Sequence, residues 1–268
     1  MTLSISGKTA IVTGAAHGIG RAIARHFVDR GANVMFADMD EDALERDLGE
    51  EAHAEGPVRW FGGDLRKKLT INNLLSATLD AFDRVDVLVN AHRCVRLSDP
   101  LCAEDDGVEE MWAQNLMTSL RLSQHVARRM VAQAEKSSDT GPAGCIINLS
   151  SIAARLTHPD LLGYSMACAG IEQMTRSMAV ALAPQRIRVN CVAFGSVMSA
   201  SLQASLKENP DWRDDIRRGT PANRIAAPLE LAETVQFLAS DGAGFVTGQV
   251  LTVDGGRSLI DPVRHPAH

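Results

Sequence analysis

Residues 8–38 read KTAIVTGAAHGIGRAIARHFVDRGANVMFAD, and this stretch decides the fold. Lys8 to Thr13 is a short apolar run that stops at Gly14, the pattern of a buried strand. Gly18 to Arg30 puts Ile19, Ala22, Ile23 and Phe27 on one helical face, and Gly31 ends the helix. Asn33 to Ala37 is a second strand, closed by Asp38. The loop between the first strand and the helix runs Thr13-Gly14-Ala15-Ala16-His17-Gly18-Ile19-Gly20. Glycines there permit a tight turn and a close backbone approach. The helix behind them offers free N–H groups and the positive end of its dipole to a pyrophosphate. The strand–loop–helix context, with an acid closing the next strand, separates this loop from an ordinary glycine-rich turn.

Outward from this unit the alternation continues. Helical patterns cover Glu41 to Ala52, Arg66 to Phe82, Glu109 to Ala134, Tyr164 to Ala183 and Leu229 to Ala239. Strand patterns cover Val58 to Gly62, Val85 to Asn90, Cys145 to Leu149, Ile187 to Val192 and Val250 to Val253. The predicted fold is α/β, a doubly wound (Rossmann-type) seven-stranded parallel sheet with helices on both faces. Residues 1–268 read as a single domain, with no internal repeat and no linker. Gly195 to Pro221 is less regular and reads as a substrate loop; SSDTGPAG (137–144) is a polar turn region. The tail DPVRHPAH has no periodicity and is expected to fray unless a subunit interface holds it.

Composition bounds the function. The net charge of −6 argues against nucleic acid as the main partner. Cys94, Cys102, Cys145, Cys168 and Cys191 lack CxxC or Cys/His ligand spacing, so no metal is expected. The odd count fits reduced thiols in a cytoplasmic protein. MTLSISGKTAIVTG enters a strand directly, without the pattern of a targeting segment, and no apolar run reaches the ~18 residues of a membrane span.

Two acids and one segment carry the chemistry. A carboxylate at Asp38 accepts hydrogen bonds from an adenosine ribose diol and repels a 2′-phosphate, which favours NAD over NADP. The alternatives are that Asp38 only caps the loop, or that Asp40 takes its role after a register slip. Asp64 follows the third strand, where an adenine edge would lie, or else caps the next helix. The segment SSIAARLTHPDLLGYSMACAG (150–170) closes a strand with two serines and opens a helix at Tyr164. Cys168 lies one turn later, on the same helix face as Tyr164. A tyrosine hydroxyl titrates near ~10 and is a poor acid or base at neutral pH unless a neighbour shifts it. A cation at the next turn would shift it; a neutral thiol does so badly.

With the glycine loop, Asp38, the Ser–Tyr segment and Val253-Asp254-Gly255-Gly256 in order, the chain resembles the short-chain dehydrogenase/reductase family from about Gly7 to Ser258. The family glycine pattern TGxxxGxG is matched in full by residues 13–20. The resemblance implies hydride transfer between a nicotinamide and a secondary alcohol or ketone. It implies Asn115, Ser151 and Tyr164 as the catalytic set; Ser151 rather than Ser150 fits the family's Ser–Tyr interval. It implies Gly14, His17, Gly18, Ile19, Gly20, Asp38, Asp64, Leu65, Asn90, Arg93, Gly195 and Val197 around the cofactor. It also implies a homotetramer built on helices 109–134 and 164–183, where Leu116, Met117, Leu120, Leu122, Met174 and Met178 read as surplus apolar residues.

The chain departs from the family at three places. The family's YxxxK reads Tyr164-Ser-Met-Ala-Cys168, its NNAG reads Asn90-Ala91-His92-Arg93, and its Pro-Gly reads Phe194-Gly195. All three fall at the nicotinamide half of the site. In the family, the lysine grips the nicotinamide ribose and lowers the tyrosine pKa. Arg93, His92 and His158 are the candidate substitutes for its charge, each weighed against a surface-loop role. Arg155 is a candidate for an anionic substrate group, and Leu97, Leu101, Leu156, Leu161, Met198 and Leu202 for an apolar pocket. Two functions follow: an NAD-dependent oxidoreductase with weakened or rerouted catalysis, or a non-catalytic NAD-binding subunit, alone or paired with an active relative. Arg93 or Phe194 filling the nicotinamide position would favour the second.

Overall fold

The computed structural model describes residues 2–261 apart from 54, 103, 105, 106 and 139. Strands β1 (Thr9–Thr13), β2 (Asn33–Asp38), β3 (Val58–Gly62), β4 (Val87–Asn90), β5 (Gly144–Ser151), β6 (Ile187–Phe194) and β7 (Val250–Val253) make one sheet. Its order is β3-β2-β1-β4-β5-β6-β7, and every neighbouring pair is parallel. Between the strands lie α1 (Gly18–Asp29), α2 (Glu41–His53), α3 (Lys68–Phe82), α4 (Val108–Met111), α5 (Thr118–Glu135), α6 (Leu162–Leu182), α7 (Ala200–Glu208), α8 (Trp212–Arg218) and α9 (Pro228–Ala239).

Successive strand residues point to opposite faces, which is why both must be apolar in a sheet covered on both sides. Val12, Phe36, Ile147 and Val192 pack with Ile23 and Phe27 of α1 and Leu231 and Val235 of α9. The strand residues Ile11, Met35, Leu88 and Ile146 pack on the other side with Ile71 and Leu74 of α3 and Leu122, Val126 and Met130 of α5. Each such side chain, taken fully out of water, contributes roughly 1.5–3 kcal/mol. Leu122, read from the sequence as interface surplus, is therefore core. Leu116 and Met174 likewise pack in a third cluster with Ile171 and Cys191.

Three expected elements differ. β4 starts at Val87, because the Gln133 side chain takes over the backbone of Val85: its Oε1 accepts from the amide at 3.0 Å and its Nε2 donates to the carbonyl at 2.9 Å. The long helix 109–134 is broken by a π-helical turn over Trp112–Met117. The Thr118 hydroxyl donates to the Ala113 carbonyl, five residues back, at 3.0 Å. The irregular 195–221 region contains α7 and α8. Residues 262–268, the tail expected to fray, and 139 of the polar turn lie outside the described residues. Among the described residues, no helix is long and apolar enough to cross a membrane.

The strand order fixes where a ligand can sit. The chain winds one way from β1 through β2 to β3, then returns to place β4 on the other side of β1. The loops leaving β1 and β4 therefore diverge, which opens a crevice at their carboxyl ends.

Candidate active site

A cleft of about 310 Å³ occupies that crevice, lined by Gly14, His17, Gly18, Ile19, Gly20, Asp38, Asp64 and Leu65 on one side and by Arg93, Asn115, Tyr164, Cys168 and Phe194 on the other. Two glycines are set by space. A Cβ on Gly14, whose φ is +66°, would meet the Cα of His92 at 2.7 Å and the carbonyl oxygen of Ala91 at 2.8 Å. A Cβ on Gly20 would run into the Gly14 carbonyl. The loop from β1 thus lies against the loop from β4, and α1 starts close behind it.

Asp38 ends β2, so no register slip hands its place to Asp40. One carboxylate oxygen accepts from the Ala16 amide at 3.0 Å and the other from the Asp40 amide at 3.1 Å. A carboxylate offers about four acceptor positions, so capping the loop leaves Asp38 capacity for a ribose diol. The His17 ring is committed to Asp40 at 2.7 Å, and the resulting hydrogen bond holds the Asp40 carboxyl below its ordinary value. Asp64 caps the Arg66 amide at 3.0 Å and pairs with the Arg66 guanidinium at 2.8 Å, while its edge still faces the cleft. Crowded glycines, the first turn of a twelve-residue helix and a carboxylate with spare lone pairs fit a dinucleotide at this end.

The other end is built from β4, β5, α6 and the π-helical turn. That turn presents Asn115, whose amide clamps the backbone of Cys94: Oδ1 accepts from its N–H at 2.8 Å and Nδ2 donates to its carbonyl at 2.9 Å. Gln114 and Thr118, neighbours of Asn115 on the same helix, also line the cleft, as do Ser199 and Ser201. Ser150 lines the cleft, its hydroxyl donating to the Cys168 carbonyl at 3.1 Å; Ser151 is not among the lining residues, and its hydroxyl accepts from the Ala153 amide at 3.1 Å. Tyr164 and Cys168, 4% and 2% exposed, pack in one small cluster with Ala153. Burial pushes the Tyr164 phenol up to about 12, only partly offset by the Arg93 charge and a hydrogen bond with Ser151. Burial also pushes the Cys168 thiol up, so it is neutral.

Arg93 approaches this phenol. Its Nη1 lies 3.4 Å from the Tyr164 hydroxyl, and its guanidinium sits 5.9 Å from the Tyr164 ring centre and 5.4 Å from that of Phe194. The side chain is exposed, so it lies across the mouth of the cleft rather than sealed within it. The His92 ring is held between Thr13 and Ser119, and burial lowers it to about 4. It is neutral near pH 7 and carries no charge to the site.

Several sequence candidates lie elsewhere. Asn90 is 2% exposed and donates to Ser123 of α5 at 3.0 Å and to Asn148 of β5 at 2.8 Å, and it does not line the cleft. Gly195 donates its amide to the Val253 carbonyl, and Val197 is buried in a bridge to Ala226; neither lines the cleft. His158 is exposed beside Asp160, and Arg155 is spent on Glu172 at 3.2 Å and Thr252 at 3.3 Å. Leu97 and Leu101 are 70% and 93% exposed and form no pocket.

Comparison with known proteins agrees with this geometry. The family model described as enoyl-(acyl carrier protein) reductase matches residues 14–258. The short-chain dehydrogenase anuF of Penicillium roqueforti (strain FM164) is 32% identical over 97% of this chain and 98% of its own. A gluconate 5-dehydrogenase from Burkholderia cenocepacia J2315, solved in complex with NADP and tartrate, superposes with a TM-score of 0.85 at 27% identity, covering 97% of this chain and 98% of that one. A 7α-hydroxysteroid dehydrogenase complexed with NADH and 7-oxo glycochenodeoxycholic acid also gives 0.85, at 29% identity over 95% and 96%.

Proposed function

The chain belongs to the short-chain dehydrogenase/reductase family, and on that premise we propose that it is an NAD-dependent oxidoreductase interconverting a secondary alcohol and its ketone. One observation carries the reading: the buried Tyr164 phenol shares a single cleft with the glycine loop and Asp38. Bound there, a nicotinamide supplies the two-electron donor or acceptor for the reacting carbon. The first turn of α1 takes the pyrophosphate and Asp38 the adenosine ribose. Asp38 disfavours a 2′-phosphate, and Arg66, the basic side chain on that side, is already engaged by Asp64. Ser151 donates a hydrogen bond to the substrate oxygen, and Tyr164 exchanges a proton with it. With the phenol pushed up to about 12, Tyr164 is protonated at neutral pH. It therefore serves ketone reduction as an acid better than alcohol oxidation as a base.

Cys168 occupies the place of the family lysine, so ribose gripping and charge are both reduced there. The same reading includes a cytoplasmic setting, where five free thiols stay reduced, and a homotetramer or a pairing with an active relative through α5 and α6. Met166 and Val180 of α6, 43% and 79% exposed, support that interface. The test is a turnover screen of purified protein over secondary alcohols and ketones with NAD and NADP, following nicotinamide absorbance. Tyr164→Phe should abolish any activity found. Tight NAD binding without turnover of any compound would overturn the catalytic reading and leave the non-catalytic subunit.

A further inference from the structure

We propose that Arg93, delivered from the loop after β4, is the cation Tyr164 works against, and that the His92 ring is the brace holding that loop in place. The inference rests on the oxidoreductase reading and names the cation in that same site. Arg93 meets the requirements of position and charge. It is 3.4 Å from the Tyr164 hydroxyl. It forms no ion pair among the described residues, so none of their carboxylates cancels its field. The Phe194 face, 5.4 Å away, gives the guanidinium a platform. Among the described residues, the other titratable group acting on Tyr164 is Cys168, one turn on along α6, whose ionisation would oppose that of the phenol. Ser151 faces it from the end of β5, and Phe194 of β6 lies against the Arg93 guanidinium; neither bears a charge.

An exposed arginine is a weak electrostatic device unless its backbone is fixed. Here both flanks are. The Thr13 hydroxyl oxygen accepts from the amides of Ala91 at 3.0 Å and His92 at 3.3 Å, and Asn115 clamps Cys94 on the far side. The His92 ring adds a bridge across the crevice. Ser119 donates to the Asn115 carbonyl at 2.7 Å, so its oxygen is free to accept from His92 Nε2–H at 3.2 Å. Nδ1 is then the acceptor for the Thr13 hydroxyl at 2.7 Å. One neutral imidazole thereby ties β1, the first turn of α5 and the Arg93 loop together. His92 is a positioning residue for Arg93, and Arg93 acts on the reaction through Tyr164.

Tyr164 is the chain's one tyrosine, so tyrosinate absorbance reports it alone and needs neither cofactor nor substrate. Wild type, Arg93→Met, Arg93→Lys, His92→Ala and His92→Asn are titrated upward in pH, with circular dichroism marking alkaline unfolding. Arg93→Met should ionise Tyr164 about one pH unit or more above wild type, the size expected of a nearby but exposed charge. Arg93→Lys should stay close to wild type. The His92 variants should shift upward by less, and adding His92→Ala to Arg93→Met should shift nothing further, because the ring acts only through the guanidinium. His92→Asn serves where the alanine variant does not fold. Superimposable curves for wild type and Arg93→Met, including ionisation only on unfolding in both, overturn the proposal. A His92 shift that adds in full to that of Arg93→Met overturns the brace. In the turnover screen, Arg93→Met should lower alcohol oxidation about tenfold per pH unit of that shift and Arg93→Lys should restore it. A Tyr164 shift with no NAD binding sinks the oxidoreductase reading while the charge assignment stands.

Discussion

Replacing Cys168 with lysine tests the electrostatics of the site from the helix side. Burial lifts Tyr164 from an ordinary ~10 to about 12, which costs the phenolate roughly 3 kcal/mol. An ammonium about 4 Å from the oxygen in an effective dielectric near 20 would return roughly 4 kcal/mol. Position 168 is 2% exposed, so desolvating the new charge consumes a large part of that. If about half survives, roughly 2 kcal/mol remains, enough to bring Tyr164 down by about 1.5 pH units. The corresponding gain in alcohol oxidation is about thirtyfold, on the order of 2 kcal/mol of barrier. Arg93 already faces the same hydroxyl at 3.4 Å, so the full gain belongs to the Arg93→Met background. In the wild-type background two cations crowd one phenol, and the gain should shrink to about tenfold or less. The assay is the four-corner cycle of wild type, Cys168→Lys, Arg93→Met and the double variant, read by tyrosinate titration and by initial rates of nicotinamide reduction. Thermal melts on all four check folding. Equal titration midpoints in Arg93→Met and the double variant would refute the reasoning, as would additive effects of the two substitutions.

Other outcomes follow from single contacts. NAD should bind more tightly than NADP by calorimetry, and Asp38→Ala should narrow the gap by about tenfold, roughly 1.4 kcal/mol; equal wild-type affinities sink the ribose assignment. That variant should also melt slightly lower, since Asp38 holds the Ala16 amide. His92 sits at about 4 in the folded chain against an ordinary 6.5, so the unfolded chain binds the extra proton between those values. Stability should therefore fall as pH drops from 6.5 toward 4, by on the order of 1–2 kcal/mol for this half-buried ring, and His92→Ala should flatten that slope in urea melts. Sedimentation at micromolar concentration should show a tetramer or dimer, and Val180→Glu should weaken it; a wild-type monomer rejects the interface on α5 and α6.

The sequence by itself determined whatever depends on neighbours along the chain. Strand and helix periods, the strand-closing Asp38 and the glycines of residues 13–20 are local, because backbone reach and side-chain direction repeat over a few residues. Hence the parallel sheet, the crevice and the end of the site built by β1, α1 and β2 were all legible, and so was the sharing of a helix face by Tyr164 and Cys168. Element ends were less so. β4 starts late because a glutamine 48 residues away satisfies Val85, and the long helix carries a π-helical turn that no period announces. The charge arrangement at the other end was decided only by the tertiary structure. Arg93, His158 and Arg155 are alike in the sequence as basic loop residues. Folding spends Arg155 on Glu172, leaves His158 beside Asp160, and brings Arg93 to Tyr164 across 71 residues. His92, read as a possible charge, becomes a neutral brace because Thr13 and Ser119, 79 and 27 residues away, close around its ring. Charge and hydrogen bonding act through space over a few ångströms, and only the packing of β1 beside β4 sets which side chains come that close.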